Sequence, residues 1–366
     1  MKGIVQLERP RRELSAVSLF AGGGGLTKGV QLAGFNILFV SDINESCGET
    51  LRRNFPGAIV ETADVKYLSG TGILTLNGKR AGEISLMCAG PPCQAFTILG
   101  KRRSLDDPRG QLVFEYIRLI TEVQPEAFLF ENVKGILSVN KGRDWQRLLQ
   151  YFSATTGYKL YWKVLNAVDY GVPQFRERVF VVGLREWKLP FAFPQATHAD
   201  RDGLGLFHQG LLPYVTVRQA LQHVEGLANH EKRIHGPRVS ERYKRTPSGG
   251  RDKTDHTDRL EWDEPAGTVL VGSSAGGGRP HIHPTEHRHI TVREAARLQS
   301  FPDSYVFCRT STAQYRQIGN AVPPVLARAV AGAIRDALEG RLGKDQEEVQ
   351  ARYDHQNPES GLALSR

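Results

Sequence analysis

The chain has 366 residues, with 48 Lys and Arg against 39 Asp and Glu and a formal charge of +9. At about 150 residues per domain that length predicts two domains, or one large domain carrying an insertion, and the basic excess suits a polyanionic partner. Cys47, Cys88, Cys93 and Cys308 form no CxxC pair, which speaks against a zinc knuckle or disulfide framework and for a reduced, cytoplasmic setting. No apolar run reaches the ~18 residues of a membrane span, and the first residues lack the apolar core of a secretory signal.

In the first half, short apolar runs alternate with amphipathic stretches. Residues 16–20, 37–40, 84–88 and 127–130 read as buried strands, and residues 29–33, 47–54 and 112–122 as helices between them. Residues 164–165 and 179–182 add two later strands. This alternation predicts an α/β fold, a mostly parallel sheet with helices on both faces. From Trp187 to about Glu261 the chain becomes rich in Pro, Gly, His and charge, and regular pattern returns at residues 291–299 and 325–342. The expected organisation is a sheet domain over residues 1–190 and a smaller irregular domain over 191–308. Residues 309–343 would complete the first domain, and 344–366 form a polar tail expected to be disordered.

Open parallel sheets bind ligands in the crevice beyond the carboxyl ends of their strands. The first strand runs into Ala21-Gly22-Gly23-Gly24-Gly25-Leu26, where glycines let backbone approach a ligand closely. The run fits neither GxGxxG nor the Walker pattern, and a flexible turn is its plain alternative. The second strand ends at Asp42, twenty residues after Gly22, where a carboxylate can accept ribose hydroxyls or cap a helix. Asp64 follows a third apolar segment and is placed to meet an adenine edge. The fourth strand ends at Gly90-Pro91-Pro92-Cys93-Gln94. Two prolines there fix the backbone before a thiol at the ligand edge, as a nucleophile requires; the alternative is a buried structural thiol, as expected for Cys88. The fifth ends at Glu131-Asn132-Val133, beside the apolar wall of Phe128-Leu129-Phe130. Such a wall raises a carboxyl's proton affinity and suits a general acid; helix capping is again the alternative. Together these strand ends point to a nucleoside-containing cofactor beside a cysteine nucleophile and an acid.

The same residues resemble, in order, the motifs of the DNA (cytosine-5)-methyltransferases of the bacterial restriction-modification type. FAGGGGL resembles the family's cofactor glycine motif, GPPCQAFT its nucleophile motif and ENV its acid motif. GVPQFRERVF, carrying Gln174, Arg176 and Arg178, resembles its QxRxR motif, and TVREAARLQSFPD and QIGNAVPP its last two. The resemblance covers most of the chain outside roughly residues 191–262. It implies a Rossmann-like methyltransferase fold with a target-recognition domain in the insert, S-adenosylmethionine as methyl donor and double-stranded DNA as partner. It also points to a cognate restriction endonuclease acting on the same site without direct contact. A monomer in the bacterial cytoplasm, held on the nucleoid through DNA, is expected. By motif match Phe20, Gly22, Gly24, Pro92, Leu112 and Asn320 line the donor site, with Asp42 on ribose and Asp64 on adenine. Three residues depart from the family's habit: Ser18 where Asp is frequent, Asp42 where Glu is frequent, and Thr97 where Ser is commoner.

The implied reaction acts on a cytosine flipped out of the duplex. Attack of Cys93 at carbon 6 activates carbon 5, Glu131 donates a proton near N3, and Arg176 and Arg178 bind the O2 edge and stabilise the developing charge. A base, such as water, then removes the carbon-5 proton and Cys93 leaves; no metal is needed. Residues 94–110 read as a basic lid, with Gln94, Lys101, Arg102, Arg103 and Arg109 toward DNA, or as a solvated loop. Gln174 and, in the insert, Arg233, Arg238, Arg242, Lys244, Arg245 and Arg251 complete the candidate DNA contacts, most of them to phosphates. His281, His283, His287 and His289 fall within nine residues, a spacing that can hold metal, but they lead into the TVREAARL match and no metal site is expected.

Three rival readings are separable. The family's RNA branch carries a Cys-Phe-Thr signature in its recognition region, whereas residues 187–290 contain no cysteine. Amino-methyltransferases place an aromatic residue after Pro-Pro, where Cys93 stands. A catalytically dead DNA-binding regulator would lack the nucleophile or the acid, and both are present.

Overall fold

The computed structural model describes residues 12–92, 111–187, 189–200, 210–269 and 280–341. Seven strands form one sheet: β1 (Ser15–Leu19), β2 (Asn36–Asp42), β3 (Ile59–Thr62), β4 (Leu86–Ala89), β5 (Ala127–Val133), β6 (Lys159–Asn166) and β7 (Glu177–Leu184). Their order is β3-β2-β1-β4-β5-β7-β6. The first five run parallel, while β7 is antiparallel to both β5 and β6. The reversal has a simple cause. Residues 167–176 join β6 to β7, and that link is shorter than the dozen or so residues a parallel crossover needs.

The helices are α1 (Gly25–Leu32), α2 (Glu45–Asn54), α3 (Gly70–Leu76), α4 (Gln111–Val123), α5 (Arg143–Thr156), α6 (Val217–Leu221), α7 (Pro237–Arg245), α8 (Val292–Leu298), α9 (Ser311–Asn320) and α10 (Pro324–Leu338). Side chains alternate between the sheet's faces along each strand. Ala16, Cys88 and Leu129 meet Leu26, Val30 and the α10 residues Leu326, Val330 and Ile334 on one face. Val17, Met87 and Phe128 meet Ile117, Ile120, Leu148 and Phe152 from α4 and α5 on the other. Helix α1 lies so close to α10 that a Cβ on Gly29 would stand 2.3 Å from that of Ala327.

The insert joins the first of these clusters through Val217, Leu221, Leu260 and Ile290, so its interior is continuous with the sheet's core. Farther on, the Phe301, Tyr305 and Phe307 rings pack together in tilted and edge-on contacts. Asn54 at the end of α2 bonds both backbone groups of Val306, at 2.8 and 2.9 Å. The segment before α9 also reaches the turn that follows β1, where the Tyr305 hydroxyl bonds Gly23 O. No helix among the described residues is long and apolar enough to cross a membrane.

Candidate active site

The glycine turn leaves β1 through Phe20 (φ +51°), Gly22 (φ +54°) and Gly24 (φ +79°). Such φ values favour glycine, and at Gly24 the space is closed as well: a Cβ would lie 2.1 Å from the Tyr305 hydroxyl, which donates to Gly23 O at 2.8 Å. Asp42, at the end of β2, accepts the Gly22 amide at 2.7 Å and the Asn44 amide at 2.9 Å. It therefore shapes the turn rather than capping α2, whose cap is Asn44. Burial pushes the Asp42 carboxyl up, against these two amides, which pull it down. Ser18, where the resemblance leads one to expect Asp, is buried and lies 2.7 Å from the Thr27 hydroxyl of α1.

Among the described residues, nothing lies within 4 Å of where a Gly22 Cβ would stand. Phe20 and Leu112 are half-buried against the same apolar cluster, and Pro92 and Asn320 are exposed. Asp64 is half-buried and accepts the Lys66 amide at 3.1 Å. Directly after Asp42 stands Ile43, 68% exposed, an apolar surface absent from the sequence-based expectations. Its one signal is an apolar residue inside the polar Ser-Asp-Ile-Asn turn. A carboxylate, a close backbone and exposed apolar side chains fit an adenosine-bearing cofactor.

One strand over from β4, Glu131 is buried at the end of β5, and its Oε1 meets Arg178 Nε at 2.9 Å. Burial pushes the Glu131 carboxyl above its ordinary range, with Arg178 and then Arg176 opposing it. The neighbouring Asn132 donates to Pro91 O at 3.0 Å, tying the acid's strand to the turn that leads toward Cys93. A side chain on Gly90 would crowd Glu131, since its Cβ would lie 2.9 Å from Oε2.

Arg176 takes a different position from Arg178. It is almost fully buried, donating through Nη2 to Gly319 O in α9 and through Nη1 to Val269 O, and burial with the nearby Arg178 pushes it down to about 9. Gln174 also turns inward, a departure from the DNA-facing expectation. It is fully buried, donates to Leu298 O and Gln299 Oε1, and accepts the Val269 amide at 2.8 Å. Gln299 in turn donates to Ile318 O and Ala321 O, on either side of Asn320. The QxRxR segment thus contributes one residue to the acid and two to a buried polar brace under α9.

Cys93, Gln94, Lys101, Arg102, Arg103 and Arg109 lie outside the described residues. In the insert, Arg233, Arg238, Lys244, Arg245 and Arg251 are exposed; Arg245 pairs with Glu241 and Arg251 with Asp258. Arg242 instead braces the insert through Asp252 at 3.1 Å and Asp255 at 2.6 Å. Of the four histidines, His289 bonds the buried Tyr243 hydroxyl at 2.7 Å and His283 faces Glu294 at 3.9 Å. Among the described residues no group of His, Cys, Asp and Glu has the arrangement of a metal site.

Residues 14–336 match the family model of the C-5 cytosine-specific DNA methylases. The chain is similar to the Type II methyltransferase M1.HphI of Haemophilus parahaemolyticus, 34% identical over 344 residues that cover 88% of this chain and 86% of that protein. It is equally similar to M.MthTI of Methanothermobacter thermautotrophicus, 34% identical over 350 residues, 90% of this chain and 99% of the relative. Among solved structures, a prophage-encoded Escherichia coli protein described as a candidate DNA modification methyltransferase superposes with a TM-score of 0.73 at 26% identity, over 89% of this chain and 100% of that one. The Dnmt2 methyltransferase of S. pombe shares the fold, with a TM-score of 0.63 at 21% identity over 90% of this chain and 99% of its own.

Proposed function

The chain belongs to the C-5 cytosine-specific DNA methylases, enzymes that move a methyl group from S-adenosylmethionine to carbon 5 of cytosine, and we propose that Cys93, Glu131 and Arg178 carry this chemistry. The observation that carries the reading is the buried Glu131–Arg178 pair at 2.9 Å, one hydrogen bond from the Pro91-Pro92 turn that leads to Cys93.

The Cys93 thiolate adds to carbon 6 of a flipped-out cytosine, and the ring electrons shift toward N3 and O2. Glu131, whose proton affinity burial raises, gives a proton to N3. The carboxylate left behind faces the Arg178 guanidinium, so the charge created by proton transfer is compensated where it forms. Phe20, Gly22, Asp42, Leu112 and Asn320 hold the donor, which when bound supplies an electrophilic methyl group. A base takes the carbon-5 proton, the electrons return, and Cys93 leaves as thiolate. Arg176 acts through α9, holding the Asn320 end of that helix.

The names of the relatives support reading this chain as the modification half of a restriction-modification pair. It methylates one duplex sequence that a cognate endonuclease cuts, and it works as a monomer on nucleoid DNA in the cytoplasm. Residues 191–308 form the target-recognition part, with Arg233, Arg238, Lys244, Arg245 and Arg251 on DNA. Bisulfite sequencing of DNA from expressing cells tests the reaction and finds the site; it should show one protected cytosine context. A duplex with 5-fluorocytosine at that position should trap the enzyme covalently, because fluorine cannot leave as the proton does. Cys93→Ala should abolish both adduct and transfer while S-adenosylmethionine still binds. An adduct on another residue, or full transfer by the variant, refutes the assignment.

A further inference from the structure

A cleft of about 790 Å³ separates the insert from α9, lined by Lys232, Arg233 and His235 on one side and by Ser311, Thr312 and Arg316 on the other. None of these groups enters the reaction. Arg233 and Arg316 are exposed, and among the described residues neither guanidinium has a carboxylate or hydrogen-bond partner. Lys232 is balanced by Glu286 at 2.9 Å, and Glu231 is the one acid in the lining. The ten-residue α9 opens toward the same space. Its cap, Thr310, accepts the Ala313 amide, and Ser311 and Thr312 of its first turn line the cleft, which brings the positive end of the helix there.

Two unpaired guanidiniums on opposite walls, hydroxyls and a helix N-terminus make an anion site, and its volume exceeds what a single phosphate needs. We propose that this cleft binds the phosphodiester backbone of DNA outside the target base, making Arg316 and the start of α9 DNA contacts opposite Arg233. The proposal rests on DNA being the substrate. It would add a second link, beside the Tyr315 hydroxyl's bond to Ile290 O, between the insert and the helix that carries Asn320, because Arg233 and Arg316 would share one strand.

The test is duplex binding by the full chain as a function of salt. Each phosphate contact contributes about 0.9 to the slope of log K against log salt, so Arg316→Gln and Arg233→Gln should each lose about 3-fold less affinity between about 50 and about 200 mM salt than the unaltered protein. The loss should be the same for methylatable and unrelated duplexes, since backbone contacts carry no sequence information. Glu231→Gln should tighten binding, the opposite sign. An unchanged salt slope in both arginine variants, or a loss confined to one DNA sequence, overturns the proposal. If the unaltered protein binds no duplex at any salt, the DNA reading fails with it; if only the variants behave like the unaltered protein, the cleft assignment alone fails. Competition by free inorganic phosphate at low millimolar concentration that equals competition by duplex also overturns it, since that result assigns the cleft to a small anion.

Discussion

Glu131 and Arg178 hold opposite charges 2.9 Å apart, with 10% and 12% of their side chains exposed. At an effective dielectric near 20 their attraction is ~6 kcal/mol, and removing one member of such a pair strands the other at a net cost of about 3–5 kcal/mol. Arg178→Met makes that removal and keeps the apolar stem. The stranded carboxyl can escape by taking up a proton. Burial already pushes Glu131 above its ordinary range and Arg178 is the strongest group opposing that rise, so the variant's Glu131 titrates higher still. A folded-state value raised above the unfolded one gives stability that is present below the unfolded value, about 4.3, and lost as pH rises through the folded value. The variant's deficit should therefore be small near pH ~5 and grow toward pH ~8, where it approaches the stranded-charge cost of about 3–5 kcal/mol. Urea unfolding followed by tryptophan fluorescence across that range measures it. Adding Glu131→Gln should recover most of the loss, because no buried charge then remains. A deficit equal at both ends of the range would mean that another group keeps Glu131 ionised, and the role assigned to Arg178 would be wrong.

Gly24→Ala places a Cβ 2.1 Å from the Tyr305 hydroxyl at a φ of +79°; the strain should cost about 1–3 kcal/mol and weaken S-adenosylmethionine binding, read by calorimetry and thermal melting. Gln299→Leu removes one partner each from Gln174 and the Ile318 carbonyl, which keep Leu298 O and the Ala321 amide, and leaves the Ala321 carbonyl without its side-chain partner. At about 1–3 kcal/mol per stranded group it should destabilise the fold, and it should raise the S-adenosylmethionine Kd more than the DNA Kd, because the displaced helix end carries Asn320. Equal effects on both ligands would place the brace outside cofactor binding.

Much of this protein is legible in its linear order. Strands β1, β4 and β5 are buried on both faces, so they stand out as mostly apolar runs. Their carboxyl ends hold Gly22, Pro92 and Glu131, because a parallel sheet gathers successive strand ends on one edge whatever packs around it. The half-buried β3 and β6 leave no such run. In the sequence β3 therefore shows only as a short apolar segment before Asp64, without bounds, and β6 only as a two-residue piece.

Only the tertiary structure decided which polar residues face the site and which support it. Gln174 and Arg176 stand two residues apart, and Arg178 two further on, yet the carbonyl partners Leu298 and Gly319 of the first two lie 124 and 143 residues away. Local sequence carries no trace of such partners. An arginine that meets a substrate and one that donates to a buried carbonyl are the same residue type, and burial by distant segments is what separates their roles. The same holds for charge: the sum of +9 follows from composition. Packing alone paired Arg242 with two aspartates and left Arg233 and Arg316 open across a cleft.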